Sequence, residues 1–222
     1  MIIHDVTQGT PDWLRLRLGI PTASQFHRIV TAAKGELSKQ ARKYAHELVT
    51  EALLDRPLEA PPVSTFAMLR GKELEPQAVQ QYEFTTDAAT RVAGFVTTND
   101  GRLGCSPDRL ITGARGGLEV KCQLDANHVG TLIDGPGEDY KQQVQGSLAI
   151  CEAEFWDLYA YHPELPPVLI RTHRDEPYIA KLRAALDEFL DMRDAMLMQA
   201  CASGFFQRRA DNDNACVVAE VG

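Results

Sequence analysis

Apolar and polar positions along the chain follow two different periods, and the change between them divides it. The first part reads as helices. Thr10-Pro11 has the form of an N-cap followed by proline at the first helical position, which predicts a short helix through Leu18, ended by Gly19. Thr22 or Ser24 caps a second, running to about Ala33 and broken at Lys34-Gly35. Ser38 starts a third, with Tyr44, Leu48 and Leu53 among its apolar residues. Three prolines between Arg56 and Val63 predict a loop, after which Ser64 caps a longer helix to about Tyr82.

Short runs rich in strand formers follow, over residues 91–97, 103–106, 109–112 and 118–122, separated by Asn99-Asp100-Gly101 and glycine-rich turns. Helical texture returns over 137–151, strands over 154–161 and 168–173 are parted by Pro163, Pro166 and Pro167, and a helix over 180–201 carries Leu182, Leu186, Phe189, Leu190 and Leu197. No internal repeat is visible. This order predicts an α/β sandwich in which helices flank a central mixed sheet, formed by one domain over 1–203. Residues 204–222 are polar and irregular and read as a flexible tail.

Composition narrows the function classes. With 222 residues, 44% of them hydrophobic and 24% charged, the chain can bury one sizeable core. No apolar run approaches the roughly 18 residues of a membrane span, and the N-terminus lacks a basic stretch followed by an apolar block, so neither a span nor a signal peptide is expected. The five cysteines are scattered, with no CxxC or Cys/His ligand spacing; free thiols in a reducing cytoplasm are the expectation. A net charge of −8 argues against a passive DNA coat, whose grip rests on neutralising phosphates. Arg15, Arg17, Arg28, Lys34, Lys39, Arg42 and Lys43 do cluster early, although by themselves they read as the wet faces of two helices.

The chemistry concentrates between Gly104 and Cys122. If 118–122 is a strand, Glu119 and Lys121 share one face, while Leu118, Val120 and Cys122 share the other and enter the core. Taken alone, Glu119 and Lys121 are a surface ion pair. Asp108, preceded by Pro107, changes this: a hairpin between the two segments brings Asp108 to the Glu119 end of the next strand. Two carboxylates held together repel unless a cation sits between them, and hard oxygen ligands suit Mg²⁺ or Mn²⁺. A neighbouring ammonium can orient the attacking water and stabilise charge developing on phosphorus. Those are the needs of phosphodiester hydrolysis.

Ser106-Pro-Asp108 followed by Glu119-Val-Lys121 resembles the PD-(D/E)XK nuclease motif, and the chain is similar to the lambda-exonuclease branch of that superfamily, the phage-type alkaline exonucleases. The similarity runs from about Gly9 to Tyr178 and takes in Trp13-Leu-Arg-Leu-Arg-Leu-Gly with Thr22-Ala-Ser24, Gly71-Lys-Glu-Leu-Glu75 and Tyr140-Lys-Gln-Gln-Val-Gln145. The resemblance implies a restriction-endonuclease-like α/β core. It makes Asp108, Glu119 and the backbone carbonyl of Val120 ligands of Mg²⁺, with Mn²⁺ as a substitute; Lys121 would position the water, and Glu75 would add a further catalytic carboxylate. Arg17, Ser24, Ser106 and Gln143 would form a pocket for the 5′-phosphate of a DNA end, a fitting set because guanidinium forks onto phosphate oxygens. It further implies 5′-to-3′ degradation of one strand of linear duplex DNA, leaving a 3′ overhang for recombination. A ring-shaped homotrimer, a single-strand annealing protein as partner and the cytoplasm of a bacterial host complete the picture. Cys122-Gln123 departs from the Cys-Pro common in the family, which should shift the following loop and not the chemistry. Asp100 has at most a minor role. Two alternatives share these residues: a restriction or repair endonuclease of the same superfamily, and a non-catalytic DNA-binding protein retaining a nuclease fold.

Overall fold

The computed structural model describes residues 1–58, 66–137 and 139–202, together with the backbone of two short strands, β9 (Phe206–Arg208) and β10 (Cys216–Val218), which pair antiparallel. The expected loop before residue 64, the Ser64 cap and most of the expected tail lie outside the described residues.

The chain begins with β1 (Ile2–His4) and α1 (Pro11–Leu16); Thr10 caps the helix through its hydroxyl, which accepts from the Trp13 N–H, and Pro11 occupies the first turn. The second expected helix is shorter than its pattern suggests. A 3-10 turn (Ala23–Gln25) leads into α2 (Phe26–Ile29), and Val30 is already extended, because it bridges Leu37 across the Lys34-Gly35 turn. Two long helices follow, α3 (Ala41–Leu54) and α4 (Phe66–Thr86), with Pro76 inside the latter. The strand expected over 91–97 is two: β2 (Thr90–Arg91) and β3 (Phe95–Thr97). They part at Gly94, where a Cβ would stand 1.7 Å from the Val6 carbonyl oxygen.

After β4 (Gly104–Cys105) come β5 (Arg109–Ile111) and β6 (Gly116–Lys121), then α5 (Asp125–Asp134), which the sequence pattern did not predict, and α6 (Asp139–Ile150). β7 (Phe155–Ala160), β8 (Val168–His173) and α7 (Glu176–Cys201) complete the core. The main sheet has the order β2-β5-β6-β7-β8, with β6 and β7 parallel and the other pairs antiparallel. It is therefore the expected mixed sheet, its parallel pair joined by the α5–α6 crossover. A second antiparallel sheet, β1-β3-β4, lies beside it.

Helices cover both faces of the main sheet. On one, Ala78, Val79 and Tyr82 of α4 pack on Ile111, Leu118, Val120 and Tyr159. On the other, α2, α3, α6 and α7 bury Phe26, Tyr44, Leu148, Leu182 and Phe189 with Trp156. Beneath α4 the fully buried Asp157 accepts from the Tyr82 hydroxyl at 2.6 Å and from the forked guanidinium of Arg171 at 2.8 Å, so its charge is paired. Cys105, Cys122 and Cys151 are free thiols as expected, whereas Cys201 is disulfide-bonded. Among the described residues no helix is long and apolar enough to cross a membrane.

Candidate active site

The β5–β6 hairpin sets the geometry. Arg109 pairs with Leu118 and Leu110 with Gly117, so continuing the register by one residue places Asp108 opposite Glu119, on the same face of the sheet. Gly117 allows this face to pack: a Cβ there would stand 2.2 Å from the indole of Trp156. The Asp108 carboxylate (Oδ2) accepts from the Val120 N–H at 2.7 Å, and Lys121 Nζ donates to Glu119 Oε1 at 2.6 Å. Leu118 and Val120 turn to the opposite, α4-facing core.

The charges in this cluster act on one another. Burial, and then the negative charge of Glu119, push the Asp108 carboxyl up to about 7; Glu75 adds to the effect, while the Val120 N–H and Lys121 oppose it. Burial alone would lower the Lys121 ammonium, but Glu119 and Asp108 outweigh it and hold it above its usual value. Lys121 therefore stays a cation and has no free pair with which to act as a base. A cation between Asp108 and Glu119 would relieve their repulsion, which is the structural ground for a metal here. Among the described residues no group of three or more His, Cys, Asp or Glu side chains is gathered to hold a metal. Two carboxylates with water suffice for such an ion, and a third protein ligand, if used, would come from the backbone. The Val120 N–H points to Asp108, and in an extended strand a residue's N–H and C=O share a side, so the Val120 carbonyl faces the same edge. Hard oxygen donors of this kind fit Mg²⁺ or Mn²⁺.

Glu75, on α4, reaches the edge of this cluster. Its carboxylate pairs with Arg109 at 3.3 Å, and Arg109 also donates to the Asp108 carbonyl at 2.7 Å. Gln143, on α6, comes from the other side and donates its amide to Glu119 Oε1 at 3.0 Å. Ser24, His27, Lys121, Tyr140, Gln143 and Leu158 line a cavity of about 310 Å³ beside the carboxylates.

The remaining residues form a second cluster. Ser106 Oγ accepts from Trp13 Nε1 at 3.1 Å and from Arg17 at 3.3 Å. With both lone pairs taken, its own O–H is left to donate elsewhere. The Arg17 guanidinium lies over the Trp13 ring, 4.0 Å from its centroid, and reaches Thr22 Oγ1 at 3.4 Å; Thr22 in turn lies 3.4 Å from Ser24 Oγ. The structure thus places Arg17, Ser106 and Ser24 on one hydrogen-bonded chain, and Ser24 with Gln143 in one cavity. Asp100 is used within its own turn, accepting from the Thr98 hydroxyl and the Arg102 N–H. Gln123, directly after Cys122, accepts from Thr131 at 2.8 Å and so fastens α5 to the end of β6.

Four residues assigned no role in the site from sequence belong to this region. Arg109 directly follows Asp108, and Thr22 lies two residues before Ser24. His27 is three residues after Ser24 and Tyr140 three before Gln143, each on a shared helical face. Those spacings were the available signal.

Comparison with known proteins bears on the family and the fold. A family model described as a YqaJ-like viral recombinase domain matches residues 12–154. The alkaline exonuclease LHK-Exo from Laribacter hongkongensis superimposes with a TM-score of 0.78 at 27% identity, over 88% of this chain and 98% of that one. The same enzyme in complex with dAMP gives 0.77 at 27% identity, with coverage of 88% and 98%. A phage-related exonuclease from Haemophilus somnus 129PT shares the fold, with a TM-score of 0.62 at 15% identity over 82% of this chain and 96% of that one. No significant match was found among curated proteins.

Proposed function

The chain belongs to the YqaJ-like viral recombinase domain family, and from that premise we propose that it is a Mg²⁺-dependent exonuclease that degrades one strand of linear duplex DNA from the 5′ end. The likeness to an alkaline exonuclease supports a nuclease role in recombination. The observation that carries the reading is the meeting of Asp108, Glu119 and Lys121 on one hairpin, with Gln143 bonded to Glu119.

Asp108, Glu119 and the Val120 carbonyl would hold Mg²⁺, with Mn²⁺ able to replace it; when bound, the ion supplies Lewis acidity and makes a water nucleophilic at neutral pH. Lys121, held charged by its neighbours, orients the nucleophile and offsets charge growing on the phosphate oxygens. Glu75, steered by Arg109, supplies a further carboxylate at the edge of the cluster. Arg17, Ser106, Ser24 and Gln143 receive the 5′-terminal phosphate, with the Ser106 O–H as one donor and the Arg17 guanidinium, stacked on Trp13, as the charge. A mononucleotide product is consistent with the nucleoside monophosphate bound by the similar exonuclease. The products would be a 3′ single-stranded overhang and 5′-mononucleotides. The overhang is the substrate of a single-strand annealing protein in a bacterial cytoplasm, and the enzyme would work as a homotrimeric ring around DNA.

The test is degradation of three DNA substrates in Mg²⁺: linear duplex with 5′-phosphate ends, the same duplex with 5′-hydroxyl ends, and a closed circle. Fast loss of the 5′-phosphorylated strand, slower loss from hydroxyl ends and an intact circle are expected. A nicked or linearised circle would move the activity to an endonuclease, and no cleavage in Mg²⁺ or Mn²⁺ would leave a DNA-binding protein.

A further inference from the structure

Residues 106–108, which bring Ser106 and Asp108 to the site, lie between β4 and β5 and belong to neither strand. Side chains from other positions reach each of them. Ser106 Oγ accepts from Trp13 and Arg17, and the Asp108 carbonyl accepts from Arg109. The Pro107 carbonyl accepts from Gln8 Nε2 at 2.8 Å, and the same nitrogen donates to the Ala93 carbonyl at 3.3 Å. Both partners are carbonyl oxygens, which only accept, so the NH₂ end of the amide faces them and gives one proton to each.

Gln8 has no part in the chemistry described so far. It is an exposed residue between β1 and α1, where a glutamine amide is ordinarily met by water. Its two bonds instead span 85 and 99 positions of the chain. The segment that carries it is closely seated: Val6 leaves no room for a side chain at Gly94, and Trp13 Nε1 donates to the Gly94 carbonyl at 3.1 Å. Gln8 and Trp13 thus tie residues 93–94 to residues 106–107 as two adjacent rungs, Trp13 ending on Ser106 and Gln8 on Pro107. The Pro107 carbonyl belongs to the planar peptide unit that also contains the Asp108 nitrogen. Holding its oxygen holds that plane, and with it the direction in which the chain presents Asp108. Mg²⁺ demands short, near-octahedral contacts, so a small turn of this plane costs metal affinity.

We propose that Gln8 is a positioning residue for the metal centre: by fixing the Pro107–Asp108 peptide it sets the Asp108 carboxylate where, with Glu119, it can hold the ion. This rests on the nuclease reading above and adds a residue, distant in sequence, on which metal binding depends.

Gln8→Met keeps the length of the side chain and removes both donors. Its affinity for Mn²⁺, read without DNA from the loss of the free-ion electron paramagnetic resonance signal, should fall by about tenfold, the lower end for loss of an outer-shell partner. The Mg²⁺ concentration that gives half-maximal cleavage should rise by a similar factor. The ratio of rates on 5′-phosphate and 5′-hydroxyl ends should keep the parent's value, because Ser106 retains Trp13 and Arg17. Gln8→Asn, whose amide is one carbon short for bridging both carbonyls, should fall between parent and Gln8→Met, and it carries the test if Gln8→Met does not fold. A lowered melting temperature with unchanged Mn²⁺ affinity would make Gln8 a structural residue and overturn the proposal. So would a changed end ratio at unchanged metal affinity, which would put its effect on Ser106; either result leaves the nuclease reading intact. A parent protein that neither binds Mn²⁺ nor cuts DNA overturns both.

Discussion

At the scale of the single residue, Asp108 couples fold and chemistry most directly. Its carboxyl is lifted to about 7 by burial and by Glu119. Between an ordinary carboxylate pKa of about 4 and this value, the folded chain keeps a proton that the unfolded chain has released. Stability therefore falls as pH rises through that window and stays at its lower level above it. Asp108→Asn removes the charge while leaving an oxygen that can accept from Val120. The variant should melt higher than the parent at pH 8, the difference should close toward pH 4, and cleavage should be lost throughout. Thermal melts across pH with and without Mg²⁺ test this: added metal should raise the parent at pH 8 and not the variant. A variant that melts lower at pH 8, or that still cuts, contradicts the assignment. Lys121→Ala acts in the opposite sense, because it leaves Glu119 without its 2.6 Å partner. It should cost cleavage on the order of 10² or more, read from initial rates, and it should lower the melting temperature at pH 8.

At the scale of the element, the site depends on how closely α6 approaches the segment that carries Ser24 and His27. Gly146 sets that approach: a Cβ there would stand 2.5 Å from the Phe26 ring, which is fully buried and cannot swing aside. Gly130, in α5, has nothing within 4 Å of the same imagined atom. The two glycines should therefore respond oppositely to alanine. Gly130→Ala gains helix propensity, about 0.5–1 kcal/mol. Gly146→Ala gains as much but overpacks the core by about 1–3 kcal/mol, so it should melt lower and bind DNA ends more weakly. Paired melting curves decide it, and equal shifts of one sign would mean that α6 is not held at this distance. The same elements show what can be read from sequence. Glu119 and Lys121 are legible because a strand's period of two puts them on one face, and Asp108 because a hairpin fixes register. α5 is not legible: Val129, Leu132 and Ile133 are exposed, while the buried positions are His128 and Thr131, so no apolar stripe marks the helix. The second helix is overcalled because Val30 leaves it to pair with Leu37, a contact that local periodicity does not contain. The meeting of Arg17 with Ser106 spans 89 positions and follows only from the tertiary fold. Family resemblance had brought those two residues together; spacing could not have done so.

At the scale of the whole molecule, the proposed activity asks an acidic chain to remain on a polyanion. A net charge of −8 offers little nonspecific grip, and what grip the basic residues give weakens as salt screens it. A ring closed around the duplex holds by topology instead and requires subunit contacts. Large apolar side chains are exposed, with Phe66, Phe84 and Ile133 at 75%, 87% and 73%, and these are the positions at which subunit contacts can be tested. If the ring forms, two consequences follow together. Light scattering should give three times the monomer mass, and Phe84→Asp, which puts a charge on an apolar contact, should lower it if that side chain lies between subunits. The stronger test separates loading from travel. Capture of a DNA end is electrostatic and should slow as salt rises from about 0.05 to 0.2 M, whereas the length degraded per encounter, measured on a long duplex with excess trap DNA, should hardly change. An enzyme held only by charge would lose both in proportion, because the contacts that capture the end would be the ones that keep it. Parallel loss of capture and run length, or a monomeric mass at working concentration, would rule out the ring and leave the hairpin chemistry of Asp108, Glu119 and Lys121 to act distributively.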